Sequence, residues 1–400
     1  MKDFPHILIP AAAAFCILLA AGCARSPEPN HIYSPTPPES ISSPETTETF
    51  APEETAPPEP VRMLLDSMSL EERVGQLFLA RYPGDTAAQA LEECHLGGFI
   101  LFGQDFEGQT PDSIRETLSG LQAASSLPLL IAVDEEGGTV VRVSRYSAFR
   151  ESPFLSPRDY FHQGGMDAAL AAEEEKAEML KSLGINVNLA PVADIATSPD
   201  SFMYRRSLGQ DPETTGVFVA GAVQAMKKAQ VGSVLKHFPG YGSNADTHTG
   251  SARDERTLEA LEGADLIPFR AGIDAGCGAV MVSHNTVAAF DPSLPASLSP
   301  RVCGYLREEL RFEGVIITDD LAMGAVADLF SPGEAAVLAI QAGNDLLCCS
   351  DYATQYEAVL AAVLDGRISI DRLNEAATRV LLWKQELGLI DIAKEVSLCP

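Results

Sequence analysis

The sequence has few basic residues for its length, and this shortage excludes several classes of partner. Its 400 residues include 28 Lys and Arg against 56 Asp and Glu, which gives a formal net charge of -28. A surface with this charge repels phosphate backbones and anionic headgroups, so no nucleic-acid partner is expected. A neutral substrate fits the composition better.

Motifs for nucleotides, serine hydrolysis and zinc are also missing. The chain contains no GxGxxG, no P-loop and no GxSxG pattern, so dinucleotide, nucleotide and serine-hydrolase functions have no support. It has no CxxC pair and no His at zinc-finger spacing. With 46% hydrophobic residues the chain can bury a large core without disulfides, and we expect buried thiols at six positions. These are Cys94, Cys277, Cys303, Cys348, Cys349 and Cys399.

A long apolar run occurs near the start of the chain, and it is too short for a comfortable membrane span. Lys2, the run from Ile7 to Leu19 and the small residues before Cys23 are typical of an export signal over residues 1–23. The ending LLAAGC resembles a bacterial lipoprotein box, which implies a lipid-modified Cys23 and a protein anchored to the membrane outside the cytoplasm. The alternative is an ordinary signal peptide with an incidental Cys.

Residues 24–60 are mostly Pro, Glu, Ser and Thr, with few large apolar side chains. Such a composition cannot offset the entropy lost on ordering, so we predict a disordered linker. The globular part then runs from residue 61 to about residue 391 as one domain.

Short β-rich apolar runs alternate with longer amphipathic stretches in this part, as in repeated βα units. Eight parallel strands with intervening helices predict a single (β/α)8 TIM-type barrel of the α/β class. The eight runs are Gln76 to Ala80, Gly98 to Phe102, Leu129 to Val133, Val187 to Ala190, Ser233 to Lys236, Ala279 to Ser283, Val315 to Thr318, and Asp345 to Cys348.

Ionisable side chains follow many of these runs, at the end of a barrel where active sites lie. Those at strand ends are Asp134, Asp194, Lys236, His237, His284, Asp319 and Asp320, and those on connecting loops are Arg142, Arg206, Asp246 and His248. Successive strand residues face opposite sides, so only one of Asp319 and Asp320 can face the barrel mouth, and the spacing leaves either possible. We expect the other to cap a helix starting at Leu321.

The loop from Lys236 to His248 carries four of these side chains. An Asp two residues before a His can share a turn with it and favour the protonated ring, which suits a general acid. An isolated DxH is more often a solvated turn, but its place after a strand end favours a catalytic role here.

These residues resemble family 3 glycoside hydrolases, in the branch of bacterial β-N-acetylhexosaminidases. The resemblance covers residues 61–389 and rests on six motifs. They are DEEGG at Asp134 to Gly138 with Arg142, NLAPVADI at Asn188 to Ile195, RRSLGQDP at Arg205 to Pro212, KHFPGYG at Lys236 to Gly242, DTH at Asp246 to His248, and GVIITDDLAM at Gly314 to Met323.

The resemblance implies a role for each site residue. Asp319 is the implied nucleophile, His248 the proton donor and Asp246 its partner. The residues implied to hold the sugar are Asp134, Arg142, Arg206, Lys236 and His237. The family loop usually reads KHFPGHG, whereas this chain has Tyr241, and the spacing from Gly242 to Asp246 is one residue shorter.

The implied reaction is retaining hydrolysis of a terminal β-linked N-acetylglucosamine from cell-wall-derived glycans, with no metal and no organic cofactor. Related alternatives are a β-glucosidase or a phosphorylase, in which phosphate replaces water. Alternatives of another class are a metal-dependent hydrolase using His237, His248 and Asp319, and a non-catalytic sugar-binding lipoprotein.

Overall fold

The computed structural model describes residues 58–242, 244, 247 and 250–398. The predicted export signal, Cys23 and residues 24–57 of the linker lie outside these residues, so the predictions made for them stay predictions. Helix α1 begins at Glu59, so the last two positions of the predicted linker are helical. Within the described parts of the chain, no helix has both the length and the apolar composition needed to cross a membrane.

Eight parallel strands form the central sheet, and all eight correspond to predicted runs. They are β1 (Phe78–Arg81), β2 (Gly98–Leu101), β3 (Leu130–Val133), β4 (Val187–Asn188), β5 (Gly232–Phe238), β7 (Ala279–Val282), β9 (Val315–Thr318) and β10 (Leu347–Cys349). Their order is β10-β1-β2-β3-β4-β5-β7-β9, and a parallel bridge between Ile317 and Leu346 closes the ring. The predicted (β/α)8 barrel is confirmed.

Helices surround the barrel and connect its strands. They are α1 (Glu59–Ser67), α2 (Leu70–Gly75), α3 (Ala87–Cys94), α4 (Pro111–Ala124), α5 (Pro157–Ser182), α6 (Pro212–Lys228), α7 (Leu258–Glu262), α8 (Leu266–Asp274), α9 (Pro300–Glu308), α10 (Gly324–Ala327), α11 (Pro332–Ala342), α12 (Tyr352–Leu364), α13 (Ile370–Glu386) and α14 (Ile392–Leu398). The short 3-10 helices are Gly84–Thr86, Gly103–Phe106, Phe202–Arg205 and Ala296–Leu298.

Local sequence signals account for several helix starts. Ser69 forms a capping box with Glu72, and Thr110 caps α4 ahead of a proline at its first position. Helix α5 begins at Pro157, earlier than the predicted start near Met166, but its backbone leaves helical geometry at residues 164 and 165. Met166 therefore begins the second, regular part of that helix.

Apolar side chains fill the barrel interior, and helix α13 closes its floor. Leu79, Leu130 and Ile317 pack in one cluster with Val380 and Trp383 of α13. Gly232 starts β5 directly against this tryptophan, and a Cβ at that position would lie 2.7 Å from Trp383 Cζ2. The floor is thus packed shut, which leaves the opposite end of the strands for a site.

Two short strands outside the barrel were not predicted. Strands β6 (Arg253–Asp254) and β8 (Thr286–Val287) pair in parallel and tie the loop after β5 to the loop after β7. Each has two residues, which is too short for an alternation of apolar and polar residues to appear.

The buried-thiol prediction is confirmed for the five cysteines that the structure describes. They are Cys94, Cys277, Cys303, Cys348 and Cys349. Cys399 lies outside the described residues.

Candidate active site

The carboxyl ends of β3, β4, β5, β7 and β9 bring ionisable side chains to one end of the barrel. Asp134 directly follows β3, Lys236 and His237 belong to β5, and Asp319 directly follows β9. Parallel strands end at the same rim, so residues far apart in the chain meet there.

A row of alternating charges forms the centre of the site. Lys236 Nζ lies 2.6 Å from Asp134 Oδ1 and 2.6 Å from Glu136 Oε1. Arg206 donates twice to Glu136, from Nε at 2.9 Å and from Nη2 at 2.7 Å. Arg142 Nη2 lies 3.7 Å from Asp134 Oδ2 at the outer end of the row. The structure therefore brings together four of the predicted sugar-holding residues, and the row contains both donors and acceptors for sugar hydroxyls.

These buried groups stay charged because each has a partner of opposite charge. Burial raises the pKa of Glu136, but the charges of Arg206 and Lys236 lower that pKa by more, to well below its usual range. Burial lowers the pKa of Lys236, and the carboxylates of Asp134 and Glu136 more than reverse that effect. The site is therefore polar and preorganised before substrate arrives.

His237, the fifth predicted sugar-holding residue, is fixed at both ring nitrogens. Nδ1 lies 2.7 Å from Asp194 Oδ2, and Nε2 lies 3.1 Å from Arg206 Nη2. A guanidinium can only donate, so Nε2 accepts and Nδ1 carries the hydrogen that Asp194 accepts. With Nε2 facing a cation, His237 is poorly suited to bind a metal ion. This argues against the metal-dependent alternative.

Glu135 and Glu136 are neighbours in the DEEGG motif but have different tasks. Both are buried, but Glu136 is part of the charge row, whereas Glu135 lies beneath the loop that carries Arg142. Its Oε2 accepts the backbone N–H groups of Arg142 at 2.7 Å and of Val143 at 2.8 Å, and its Oε1 accepts the hydroxyl of Ser144. Glu135 thus fixes the backbone at Arg142, and neither glutamate was among the predicted site residues.

Asp319 and Asp320 separate as strand alternation requires. Burial raises the pKa of Asp319, but the neighbouring His284, the N–H of Asp320 and the charge of Lys236 hold that pKa below its usual value. Asp319 is therefore an ionised carboxylate beside the charge row. Asp320 instead accepts the N–H of Ala322 at 3.0 Å.

The expected helix cap is wrong in detail. No helix starts at Leu321, and the next helix, α10, begins at Gly324 with Met323 before it. Asp320 stabilises a turn between β9 and that helix, and its Oδ2 also accepts the hydroxyl of Ser350 at 2.5 Å.

His284 lies behind these two aspartates and is almost fully buried. Its Nε2 donates to the carbonyl of Asp320 at 3.0 Å, and its Nδ1 lies 2.7 Å from the hydroxyl of Ser297. His284 therefore supports the turn that carries Asp319, the predicted nucleophile. The sequence indicated His284 only by its position after a predicted strand, and that position did not reveal its supporting role.

The predicted proton donor His248 and its partner Asp246 lie outside the described residues, so their roles stay predictions. Thr247, which stands between them, is described and buried. Its carbonyl accepts the N–H of Ala325 at 3.2 Å, in the helix that follows Asp319. Asn244 Nδ2, earlier in the same loop, donates to Asp254 Oδ2 at 3.3 Å.

Among the described residues, no three His, Cys, Asp or Glu side chains converge in an arrangement that could hold a metal ion. Lys236 and Arg206 are instead paired with the carboxylates of Asp134 and Glu136.

Comparison with known proteins identifies the family. Residues 69–382 match the family described as glycosyl hydrolase family 3 N terminal domain. A protein named β-hexosaminidase from Xanthomonas oryzae is 33% identical over 308 residues, which cover 74% of this chain and 87% of that protein. The β-hexosaminidase LpqI of Mycobacterium tuberculosis is 30% identical over 395 residues, which cover 95% of this chain and 97% of that protein.

A solved structure shares the same fold. The glycoside hydrolase family 3 β-N-acetylglucosaminidase from Paenibacillus is 34% identical, with a TM-score of 0.76, over 80% of this chain and 63% of that chain. The chain therefore belongs to glycosyl hydrolase family 3 and is a glycoside hydrolase of the branch that contains the bacterial β-hexosaminidases.

Proposed function

We propose that this protein is a retaining exo-β-N-acetylglucosaminidase that releases terminal β-linked N-acetylglucosamine from cell-wall-derived glycans. The observation that carries the proposal is the carboxylate of Asp319, which directly follows β9 at the rim that holds the row of buried charges, in a chain of the β-hexosaminidase branch. A carboxylate that is held in its charged form is suited to attack an electrophilic carbon.

In the first step Asp319 attacks the anomeric carbon and the bond to the leaving oxygen breaks. His248 is the predicted donor of the proton that this oxygen takes up, with Asp246 orienting its ring. The sugar is then bound to Asp319 as an ester. A water molecule that loses its proton to His248 attacks the anomeric carbon and frees the sugar with its original configuration.

The charge row has the groups needed to hold a neutral sugar during both steps. Lys236 and Arg206 can donate to hydroxyls, while the carboxylates of Asp134 and Glu136 can accept from them. Because the row is already paired in the free protein, binding a sugar needs little rearrangement of charge.

The acetamido sugar and the enzymatic chemistry can be tested with chromogenic substrates. The protein, Asp319→Asn and His248→Ala are compared on aryl β-N-acetylglucosaminide and aryl β-glucoside. Asp328→Asn is the matched control, since Asp328 is exposed beyond the site. We expect turnover of the first substrate alone, lost in Asp319→Asn and kept in Asp328→Asn.

Two further readouts separate the related mechanisms. A 5-fluoro glycosyl fluoride that keeps the 2-acetamido group should leave its sugar on Asp319 in a mass spectrum, and NMR should show the β-anomer as the first product. Added phosphate should not convert the product to the sugar 1-phosphate. Preference for the glucoside, a first-formed α-anomer or binding without turnover would each reject the proposal.

We also infer that lipid on Cys23 anchors the enzyme to the membrane with its barrel outside the cytoplasm. The proposal is supported by the apolar run and the LLAAGC ending of residues 1–23. Cells fed a labelled fatty acid should label the protein, and Cys23→Ser should remove the label and release the protein from membranes. A Cys23→Ser protein that stays in the membrane fraction would contradict the anchor.

A further inference from the structure

Tyr241 lies in the loop after β5 and is buried against the site, with 1% of its surface exposed. Its ring packs edge-to-face on His237, with ring centres 5.3 Å apart, and lies 5.5 Å from the ring of Phe202. Its backbone N–H donates to Asp194 Oδ1 at 2.7 Å. Asp194 also holds His237, so Tyr241 is attached to a sugar-holding residue through its ring and its backbone.

The hydroxyl of Tyr241 is hydrogen-bonded to the hydroxyl of Thr247. Thr247 is fully buried, and its carbonyl is fixed by the N–H of Ala325. Both partners are removed from water, so their bond cannot be replaced by solvent without rearrangement. Tyr241 therefore connects the wall of the sugar site to one particular residue of the loop.

Thr247 is the middle residue of the DTH motif, between Asp246 and His248 in the chain. A peptide unit has a fixed length, so the position of Thr247 limits where the α-carbons of its two neighbours can lie. Proton transfer in a transition state is sensitive to displacements of about 1 Å. Anchoring this residue therefore bears directly on proton donation.

We propose that Tyr241 is a positioning residue for proton donation to the leaving group. Its hydroxyl holds Thr247, and Thr247 is the residue that precedes the predicted donor His248 in the chain. The inference rests on the proposed function, because it assumes that His248 is the acid.

The hydroxyl acts by hydrogen bonding and not by titration. Burial raises the pKa of Tyr241 to about 12, so the group keeps its proton throughout the range in which the enzyme would be assayed. Tyr241→Phe keeps the ring that packs on His237 and Phe202 and deletes the hydroxyl alone. Loss of activity in this variant therefore reports on the bond to Thr247.

The test compares substrates that differ in their need for a proton. Phenyl β-N-acetylglucosaminide has a poor leaving group that requires protonation, whereas the 2,4-dinitrophenyl glycoside leaves with little help. For Tyr241→Phe we expect kcat/KM to fall about ten- to a hundredfold on the phenyl substrate and less than about threefold on the dinitrophenyl substrate. KM should stay within about twofold, because the sugar-holding groups are unchanged.

Variants of Thr247 test the same bond from the other side. Thr247→Val should show the same leaving-group dependence as Tyr241→Phe, whereas Thr247→Ser, which keeps the hydroxyl, should keep the activity of the unchanged enzyme. The double variant Tyr241→Phe with Thr247→Val should be no less active than the more severe of the two single variants. Tyr356→Phe in α12 and Thr378→Val in α13 are matched controls, which delete buried hydroxyls in the outer helices. Both should act like the unchanged enzyme on the two substrates.

Equal losses on both substrates, a change in KM alone, or no change in Tyr241→Phe would overturn the inference. His248→Ala separates this failure from failure of the proposed function. If His248→Ala shows the leaving-group dependence and Tyr241→Phe does not, only the role of Tyr241 is wrong. If His248→Ala slows both substrates equally, His248 is not the acid and the role of Tyr241 is rejected with it, whereas turnover that Asp319→Asn abolishes would still support the proposed hydrolysis.

Discussion

Lys384 is a buried amine that has no carboxylate partner among the residues that the structure describes, and replacing it should stabilise the protein. It lies in α13 next to the barrel floor and is 0% exposed. Its Nζ donates to the side-chain oxygen of Gln76 at 2.6 Å. Burial lowers the pKa of Lys384 from 10.5 to about 7. The folded protein therefore binds this proton more weakly than the unfolded chain does.

The sign and size of the effect follow from that difference. Below pH 7 both states carry the proton, and the buried charge opposes folding by roughly 5 kcal/mol. The penalty shrinks as the pH rises and disappears above the unfolded pKa of 10.5. Lys384→Met removes it but leaves the Gln76 oxygen without a donor, at a cost of about 1–3 kcal/mol.

The variant should therefore be more stable than the unchanged protein by roughly 2–4 kcal/mol at pH 6. Near pH 9 the two proteins should be about equal, and at pH 10 the variant should be slightly less stable. Urea denaturation at these pH values measures the difference. The fluorescence of Trp383 is a direct probe, because it is the one tryptophan of the chain and adjoins Lys384.

Lys228→Met is the matched control for loss of a lysine charge. The Lys228 side chain is 75% exposed, so its substitution should change stability by less than about 0.5 kcal/mol at every pH. If Lys384→Met is less stable than the unchanged protein at pH 6, or if the difference is the same at pH 6 and pH 10, the buried amine does not oppose folding as argued.

Three further predictions concern the site. Glu136→Gln should lower the free energy of unfolding by roughly 3 kcal/mol at pH 7, as measured by urea denaturation. This loss should shrink below pH 4.5, because the carboxyl of the unfolded chain is then protonated. The surface control Glu174→Gln should lower it by less than about 0.5 kcal/mol. Asp194→Asn should lower kcat/KM about ten- to a hundredfold because it frees the ring of His237, and unchanged activity would contradict that role. The pKa of Asp319 lies below 3.8, so its ionisation should not limit kcat/KM until the pH falls below about 4, and a pH profile of the unchanged enzyme measures this limit.

The barrel could be predicted because each strand is a separate apolar run with turn or helix signals on both sides. The strands that begin at Gly98 and Val315 could be predicted without knowing which strands they pair with. Strand β6 could not be found in this way, since its two residues pair with a segment more than thirty positions later in the chain. Short pairings of this kind depend on where loops meet, which the folded barrel determines.

The site could be predicted as a set of strand-end residues but not as a network. Lys236 and Asp134 are separated by 102 positions, and only closure of the barrel shows that they form an ion pair. Glu136 was missed because it is three residues beyond the end of β3, in a loop whose path cannot be read from the sequence. Its contact with Arg206 depends on that path.

Pairs of adjacent acids show most clearly where sequence reasoning ends. Strand alternation separates the members of Asp319-Asp320, and the loop after β3 separates Glu135 from Glu136, but the sequence does not say which member of each pair enters the site. In the first pair the residue nearer the strand is the one in the site, whereas in the second pair it is the residue farther from the strand. No single rule of position gives both results, because β9 passes directly into a turn while the chain after β3 folds back over Glu135. The path of each loop therefore decides which carboxylate is available for chemistry.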